Sequence, residues 1–148
     1  MSSSTAFDIA PAQGGDLDAV RGLLQANGLP LDDLERHTGT AFVARQDGRV
    51  VGAAALEVYG DGGLLRSVVV APESRGVGIG DQLVRSVMAL AQSKHLPAVY
   101  LLTTTAASYF PRLGFVEVSR DRVPAGVQQS VEFVSACPAS ATVLMKPL

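Results

Sequence analysis

Two hydrophobic periods alternate along this chain. Short runs rich in β-branched, leucine and aromatic residues occur at Phe7–Ala10, Thr40–Gln46, Arg49–Tyr59, Leu64–Val70, Ala98–Leu102, Phe115–Arg120 and Ala141–Lys146. Turn residues punctuate them, so each is predicted as a strand. Asp47-Gly48 is a hairpin turn. A second hairpin is centred near Asp61-Gly62, within Gly60-Asp61-Gly62-Gly63. Helical spacing takes over elsewhere. Leu17, Val20, Leu23 and Leu24, between a capping Asp16 and Asn27-Gly28, predict a helix to about Ala26. Leu31–Arg36 predicts a second, short helix. From Gly80 onward, Leu83, Val84, Val87, Met88 and Leu90 predict an amphipathic helix of about 14 residues. Ala106–Arg112 predicts a short helix ended by Gly114. Val127, Val131 and Val134, spaced i, i+4, i+7 after Pro124, predict an extra helix before the last strand. The element order is β-α-α-β-β-β-α-β-α-β-β, an α/β (α+β) arrangement of about seven strands.

The junction that stands out is Leu64–Gly80, LLRSVVVAPESRGVGIG. An apolar strand ends at Pro72, and a turn reaches Arg75-Gly76-Val77-Gly78-Ile79-Gly80 where a helix opens. Glycines let backbone amides approach a ligand closely, and a helix start carries unpaired N–H groups and partial positive charge. The loop is built to hold an anion, with a pyrophosphate the best fit. A dinucleotide fingerprint needs Gly-x-Gly-x-x-Gly and an acidic residue about 20 positions later. Here the glycines fall at 76, 78 and 80, and the next strand ends in threonines. The Gly-Lys-Ser/Thr of a P-loop is absent.

Composition narrows the classes further. The 148 residues suffice for one domain with a sizeable core, spanning 1–148 with a disordered start over 1–4. Twelve basic and 14 acidic residues give a net charge of −2, which argues against nonspecific nucleic-acid binding. One cysteine, Cys137, excludes an internal disulfide and a cysteine-rich metal site. His37 and His95 have no metal-ligand spacing. No run approaches the roughly 18 apolar residues of a membrane span, and the first residues lack a signal peptide's pattern. The expectation is a cytoplasmic protein, monomer or homodimer, with no metal, membrane or nucleic-acid partner.

Arg75-x-x-Gly78-x-Gly80 resembles the acyl-CoA loop of the GNAT acetyltransferases, Gln/Arg-x-x-Gly-x-Gly/Ala. The element order is similar to the GNAT fold over nearly the whole chain, with the specific resemblance in residues 64–116. A second block, Leu101–Ala106 and Tyr109–Phe115, resembles amino-acid N-acetyltransferases, the N-acetylglutamate synthase type included. It is more similar still to small acetyltransferases associated with arsenic-resistance operons, which share a late Cys-Pro-Ala-Ser segment, here Cys137–Ser140. The resemblance implies a mixed, splayed sheet and acetyl-CoA as cosubstrate. It implies that the pantetheine arm inserts beside the splayed strand at Val68, Val69 and Val70. The pyrophosphate would sit on Arg75, Gly76, Val77, Gly78, Ile79, Gly80 and Asp81, and Phe110 would border the cofactor. It implies direct transfer to the amine of a small anionic substrate: a free amino acid or antimetabolite, organoarsenical and phosphinate analogues included. The alternative is a noncatalytic acyl-CoA-binding module.

Two departures from the family pattern bear on chemistry. The family's usual acid tyrosine position is Phe110, with Tyr109 one residue off, and its usual base carboxylate position is Leu64. Alternation places 64, 66, 68 and 70 on one face, so Arg66 lies where the carboxylate would be, with Glu57 opposite it. Arg66 either forms a structural ion pair or grips a substrate anion, and Glu57 either orients it or takes the amine proton through a water. Arg75 either meets phosphate or pairs with Glu73. Thr103–Thr105 either contact substrate or pantetheine, or cap the next helix. His37 follows the second helix, beside the expected acceptor site. Cys137 reads as packing, and His95 suits a helix C-terminus.

Overall fold

The computed structural model describes residues 6–104, 106–136 and 140–148. The first five residues, Thr105 and the Cys137-Pro138-Ala139 segment lie outside the described residues. Seven strands form one mixed sheet: β1 (Asp8–Pro11), β2 (Ala41–Gln46), β3 (Arg49–Tyr59), β4 (Gly62–Val70), β5 (Ala98–Thr103), β6 (Val116–Val118) and β7 (Thr142–Pro147). Their spatial order is β1-β2-β3-β4-β5-β7-β6. Every neighbouring pair is antiparallel except β4 and β5.

Two helices follow from the periodicity. In α1 (Leu17–Ala26), Val20 and Leu24 are buried against Val43, Ala53 and Val69. In α2 (Ile79–Ser93), Leu83, Val84 and Val87 pack on the opposite face, over Leu56, Leu65, Val99 and Leu101. That face also holds Phe115, which meets Phe110 edge-to-face at a ring-centroid distance of 5.8 Å.

Three short elements differ from their sequence patterns. The second helix is a 3-10 segment over Leu34–Thr40, not Leu31–Arg36, so His37 lies inside it. Instead of a helix over Ala106–Arg112, a 3-10 turn spans Phe110–Leu113 and is ended by Gly114 at φ 96°. The extra helix is absent as such: 3-10 turns at Arg120–Arg122 and Val127–Gln129 precede a π turn at Glu132–Ala136. Val127 is fully buried, while Val134 is 72% exposed, so the presumed stripe does not face one way. These turns cover Leu64, Tyr100 and Val143, and their shape follows that surface rather than a helical period. A tether fixes them, because the Gly126 amide donates to Asp61 Oδ2 at 2.8 Å.

The β3–β4 hairpin turns one residue earlier than its pattern suggests, pairing Tyr59 with Gly62 across Gly60-Asp61. Glu57 therefore pairs with Leu64, and Arg66 with Ala55. A bulge follows. Ala55 pairs with Arg66 and Ala53 with Val69, so Ser67 and Val68 together oppose Ala54. Ser67 is left-handed, φ 59°. The extra residue reverses the alternation. Leu64, Arg66 and Val69 face the α1 side, while Leu65, Val68 and Val70 face α2. The expectation that 64, 66, 68 and 70 share one face is thus corrected at Ser67.

Removing Phe115 tests the core. Phe115→Ala should cost about 3–5 kcal/mol, the usual range for a buried phenylalanine. Urea unfolding measures this, and a loss below about 1 kcal/mol would contradict the packing described.

Candidate active site

Parallel pairing of β4 with β5 is confined to Gly63–Val99 and Leu64–Tyr100. Beyond it the strands part, and a cavity of about 700 Å³ opens between them, reaching the start of α2. Backbone groups of β4 beyond Leu64 are thereby left without a β5 partner, which is unusual inside a sheet.

The loop forms one wall. Gly76 and Gly78 have φ of 89° and 91°, and a Cβ built on either meets no atom within 4 Å. Gly78 caps α2 in a left-handed conformation. The loop therefore offers open, side-chain-free backbone at a helix N-terminus, which fits a pyrophosphate. Arg75, Gly76, Gly78, Ile79, Gly80 and Asp81 all line the cavity, as do Val68, Val69, Val70 and Phe110. Val77 does not; its side chain points to solvent.

Arg75 is not paired with Glu73. Its Nε donates to the Val70 carbonyl at 3.1 Å and its Nη2 to Asn27 Oδ1 at 3.0 Å. The Val70 carbonyl, on the stretch of β4 where the pantetheine arm is expected, thus has Arg75 as a partner. Phe110 turns into the core, while Tyr109 reaches the loop and donates its hydroxyl to Asp81 Oδ1 at 2.5 Å. Burial, reinforced by the Asp81 carboxylate, pushes the Tyr109 phenol up. Its proximity to Gly80, where a Cβ would lie 3.1 Å from the hydroxyl, was hidden in the sequence by an assumed α-helix.

The other wall carries Arg66, Thr103 and Thr104, with Glu132 from the turns between β6 and β7. The Thr103 hydroxyl accepts the Ala106 amide at 2.9 Å, the capping alternative, and Thr104 is exposed. Arg66 is 2% exposed. Its Nη1 donates to Glu57 Oε2 at 2.8 Å, its Nε to Ser67 Oγ at 3.1 Å, and Glu132 Oε2 lies 3.4 Å from Nε. The buried Nη2 has no hydrogen-bond partner among the described residues.

Glu57 and His37 stand behind Arg66. Among the described residues, neither lines the cavity. Glu57 is fully buried; it accepts from Tyr59 and Arg66, and His37 Nε2 lies 3.5 Å away. Burial pushes the Glu57 carboxyl up, but hydrogen bonds from Ser130, Tyr59 and Arg66, with His37, hold it below its ordinary value. Burial, with the Glu57 bond and charge, lifts the Tyr59 phenol to about 12. Burial pushes His37 down, against the charge of Glu57. Tyr59, Tyr109, Ser130 and Glu132 are the residues that sequence reasoning missed. Only Tyr109 carried a signal, its place beside the altered acid position.

Residues 37–117 match the family described as an acetyltransferase (GNAT) domain, more than half of the chain. The chain belongs to the GNAT acetyltransferases. It is 32% identical over 117 residues to the amino-acid acetyltransferase of Azotobacter vinelandii, covering 76% of this chain and 27% of that one. It is 34% identical over 93 residues to the Ralstonia nicotianae amino-acid acetyltransferase, covering 62% and 21%. This GNAT chain thus spans about a quarter of the length of those relatives. Its fold matches N-acetylglutamate synthase from Neisseria gonorrhoeae complexed with coenzyme A and N-acetyl-glutamate. The TM-score is 0.83 at 22% identity, over 99% of this chain and 36% of that one. Rv2747 from Mycobacterium tuberculosis, in complex with CoA and NLQ, matches at TM-score 0.82 and 26% identity, over 95% and 99%. No helix among the described residues is long and apolar enough to cross a membrane. No described group of His, Cys, Asp and Glu is placed to hold a metal.

The pH dependence of stability follows from His37 and Glu57. Their folded values lie below the ordinary 6.5 and 4.5, so on acidification the unfolded chain binds protons first. Stability from His37 is complete above about pH 6.5 and is lost as pH falls through its folded value; Glu57 follows below about pH 4.5. Urea melts from pH 8 to 3 should decline in that order, and His37→Gln should abolish the first decline. A wild-type profile flat between pH 7 and 5 would contradict the His37 environment.

Proposed function

We propose that this protein is an acetyl-CoA-dependent N-acetyltransferase acting on a small anionic amine, a free amino acid or an amino-acid antimetabolite. Phosphinate and organoarsenical amino acids belong to the same acceptor class, with detoxification as the outcome. The observation that carries this reading is Arg66: buried, on the cavity wall, with Nη2 unpartnered. A guanidinium edge left open in a buried site suits a carboxylate or other oxyanion. The names of the relatives point to the same acceptor class.

The loop amides from Gly76 to Asp81 hold the pyrophosphate, and the unpaired edge of β4 takes the pantetheine arm. The neutral amine attacks the thioester carbonyl. Backbone amides of β4 stabilise the developing oxyanion, the C–S bond breaks, CoA leaves as the thiolate, and the proton shed by the attacking nitrogen passes through solvent water to that thiolate. Glu57 is a positioning residue, because its oxygens are bonded to Tyr59 and Arg66 behind the wall. Thr103 and Thr104 border the acceptor.

A second reading, an acyl-CoA-binding module without turnover, draws on Leu64 and Phe110. Both are buried apolar residues where the family pattern has its base and acid. Thiol release from acetyl-CoA separates the two across amino acids, their phosphinate and arsinate analogues, and polyamines. Turnover on amino acids or these analogues is the expected result. Turnover confined to polyamines or protein lysines would overturn the acceptor assignment, and CoA binding without turnover would favour the module.

Two variants test the parts separately. Gly78→Val puts a side chain into the open cradle at φ 91° and should weaken CoA at least tenfold in calorimetric titration while the protein stays folded. Equal affinity would remove the loop assignment. Arg66→Lys keeps the charge but not the planar fork. Losing a charged hydrogen bond outright, as in Arg66→Ala, costs about 1.5–3 kcal/mol, or roughly 10- to 150-fold, so Arg66→Lys should raise the acceptor KM by a part of that, with CoA affinity near wild type. An unchanged KM would end the role given to Arg66.

A further inference from the structure

A carboxylate stands inside the anion cradle. Asp81 is the third residue of α2, after Ile79 and Gly80, and it lines the cavity with the loop glycines. The Gln82 amide donates to the Gly78 carbonyl at 3.1 Å. The amides before it are those that a helix start leaves without an intrahelical partner. Gly78 has no side chain to offer them, and no side chain caps α2.

An acidic residue at this position has a preferred use. It folds back and accepts the amide of the capping residue three positions earlier. The chain shows that geometry elsewhere: Asp16, third in the turn Gly14–Asp16, accepts the Gln13 amide at 2.8 Å through Oδ2. Asp81 stands in the same relation to Gly78 and does not fold back. Its Oδ1 instead accepts the Tyr109 hydroxyl at 2.5 Å, from 28 residues further along the chain. That hydroxyl passes beside Gly80, where a Cβ would lie 3.1 Å from it. Burial and the Asp81 charge push the Tyr109 phenol up, so it keeps its proton and stays a donor at neutral pH. Carboxylate and pyrophosphate seek the same amides and the same positive helix end. A released Asp81 would cap the loop from within the chain, and its charge would oppose the phosphates.

We propose that Tyr109 is a positioning residue for the cofactor: by holding Asp81 off the loop amides, it keeps the cradle from Gly76 to Asp81 open to the pyrophosphate. This rests on the loop reading given above. It adds the competitor that the chain itself carries and the group that restrains it.

Calorimetric titration of CoA into wild type, Tyr109→Phe, Asp81→Ala and the double variant tests the proposal. Tyr109→Phe removes the hydroxyl and keeps the ring that meets Phe110 edge-to-face at 5.0 Å. It should weaken CoA at least about fivefold, the size of a typical cap interaction. Asp81→Ala removes the competitor and should bind CoA at least as tightly as wild type. In the double variant the loss from Tyr109→Phe should vanish, leaving the affinity within about twofold of Asp81→Ala. An equal loss in both backgrounds would mean that the hydroxyl acts on the cofactor or on packing, and would overturn the proposal. So would a Tyr109→Phe protein with wild-type affinity. A marked loss in Asp81→Ala would show the carboxylate to favour the cofactor and would overturn it as well. That arm decides the matter if Tyr109→Phe fails to fold. If Gly78→Val weakens CoA and the two residues show no coupling, only the role of Tyr109 falls. If Gly78→Val leaves CoA affinity unchanged, the loop assignment falls and takes this inference with it.

Discussion

The constraint on which this structure turns is the early parting of β4 from β5. Two residue pairs hold the strands in parallel register, and then the ladder ends. A sheet that loses its ladder must place its freed backbone groups against another partner or against water. Here the freed edge borders a cavity whose floor is the N-terminus of α2. The bulge at Ser67 falls within the parted stretch. Bulges bend the strand that carries them and increase its twist, so Ser67 both swings β4 away and re-aims its side chains. Arg66, immediately before the bulge, is left facing the α1 side with Glu57, whereas Val68 and Val70 turn towards α2.

That re-aiming creates a buried polar centre in an otherwise apolar sheet. Arg66 sits among Glu57, Glu132 and Ser67, and Glu57 is in turn held by Tyr59 and Arg66. Buried ion pairs rarely add net stability, because desolvation offsets the attraction. The open edge of this network, at Nη2, lies on the cavity. The segment that carries Glu132 is built from short 3-10 and π turns rather than a regular helix. π turns recur at functional sites, where they re-aim side chains. The Asp61–Gly126 tether anchors the segment at its other end to the β3–β4 hairpin. Hairpin, bulge and added turns therefore act together in shaping one wall.

Much of this molecule was legible residue by residue. The strand Arg49–Tyr59, the turn at Asp47-Gly48 and the helix after Gly78 follow from periodicity and turn chemistry, which are local properties. The glycine loop was readable for the same reason: Gly76 and Gly78 adopt positive φ, which glycine tolerates at no steric cost. Short elements were misread where tertiary surfaces outweigh propensity. Val127, Val131 and Val134 have helical spacing, but the turns follow the surface formed by Leu64, Tyr100 and Val143 instead. Tyr109, given no role by the sequence pattern, reaches the glycine loop because Phe110–Leu113 is a 3-10 turn, which rotates neighbouring side chains differently from an α-helix.

The sequence by itself determined the seven strands, the two long helices and the anion-ready loop, because each rests on interactions among residues a few positions apart. Only the tertiary structure decided which side of the sheet each functional group faces. Ser67 in a left-handed conformation leaves no mark in sequence, since serine is not a residue that signals positive φ, yet one such residue reverses the side chains that follow it in β4. The approach of Glu132 to Arg66 is likewise a product of packing between distant segments. Local periodicity carries no information about such contacts, because it is the closure of long loops onto the sheet that brings them together.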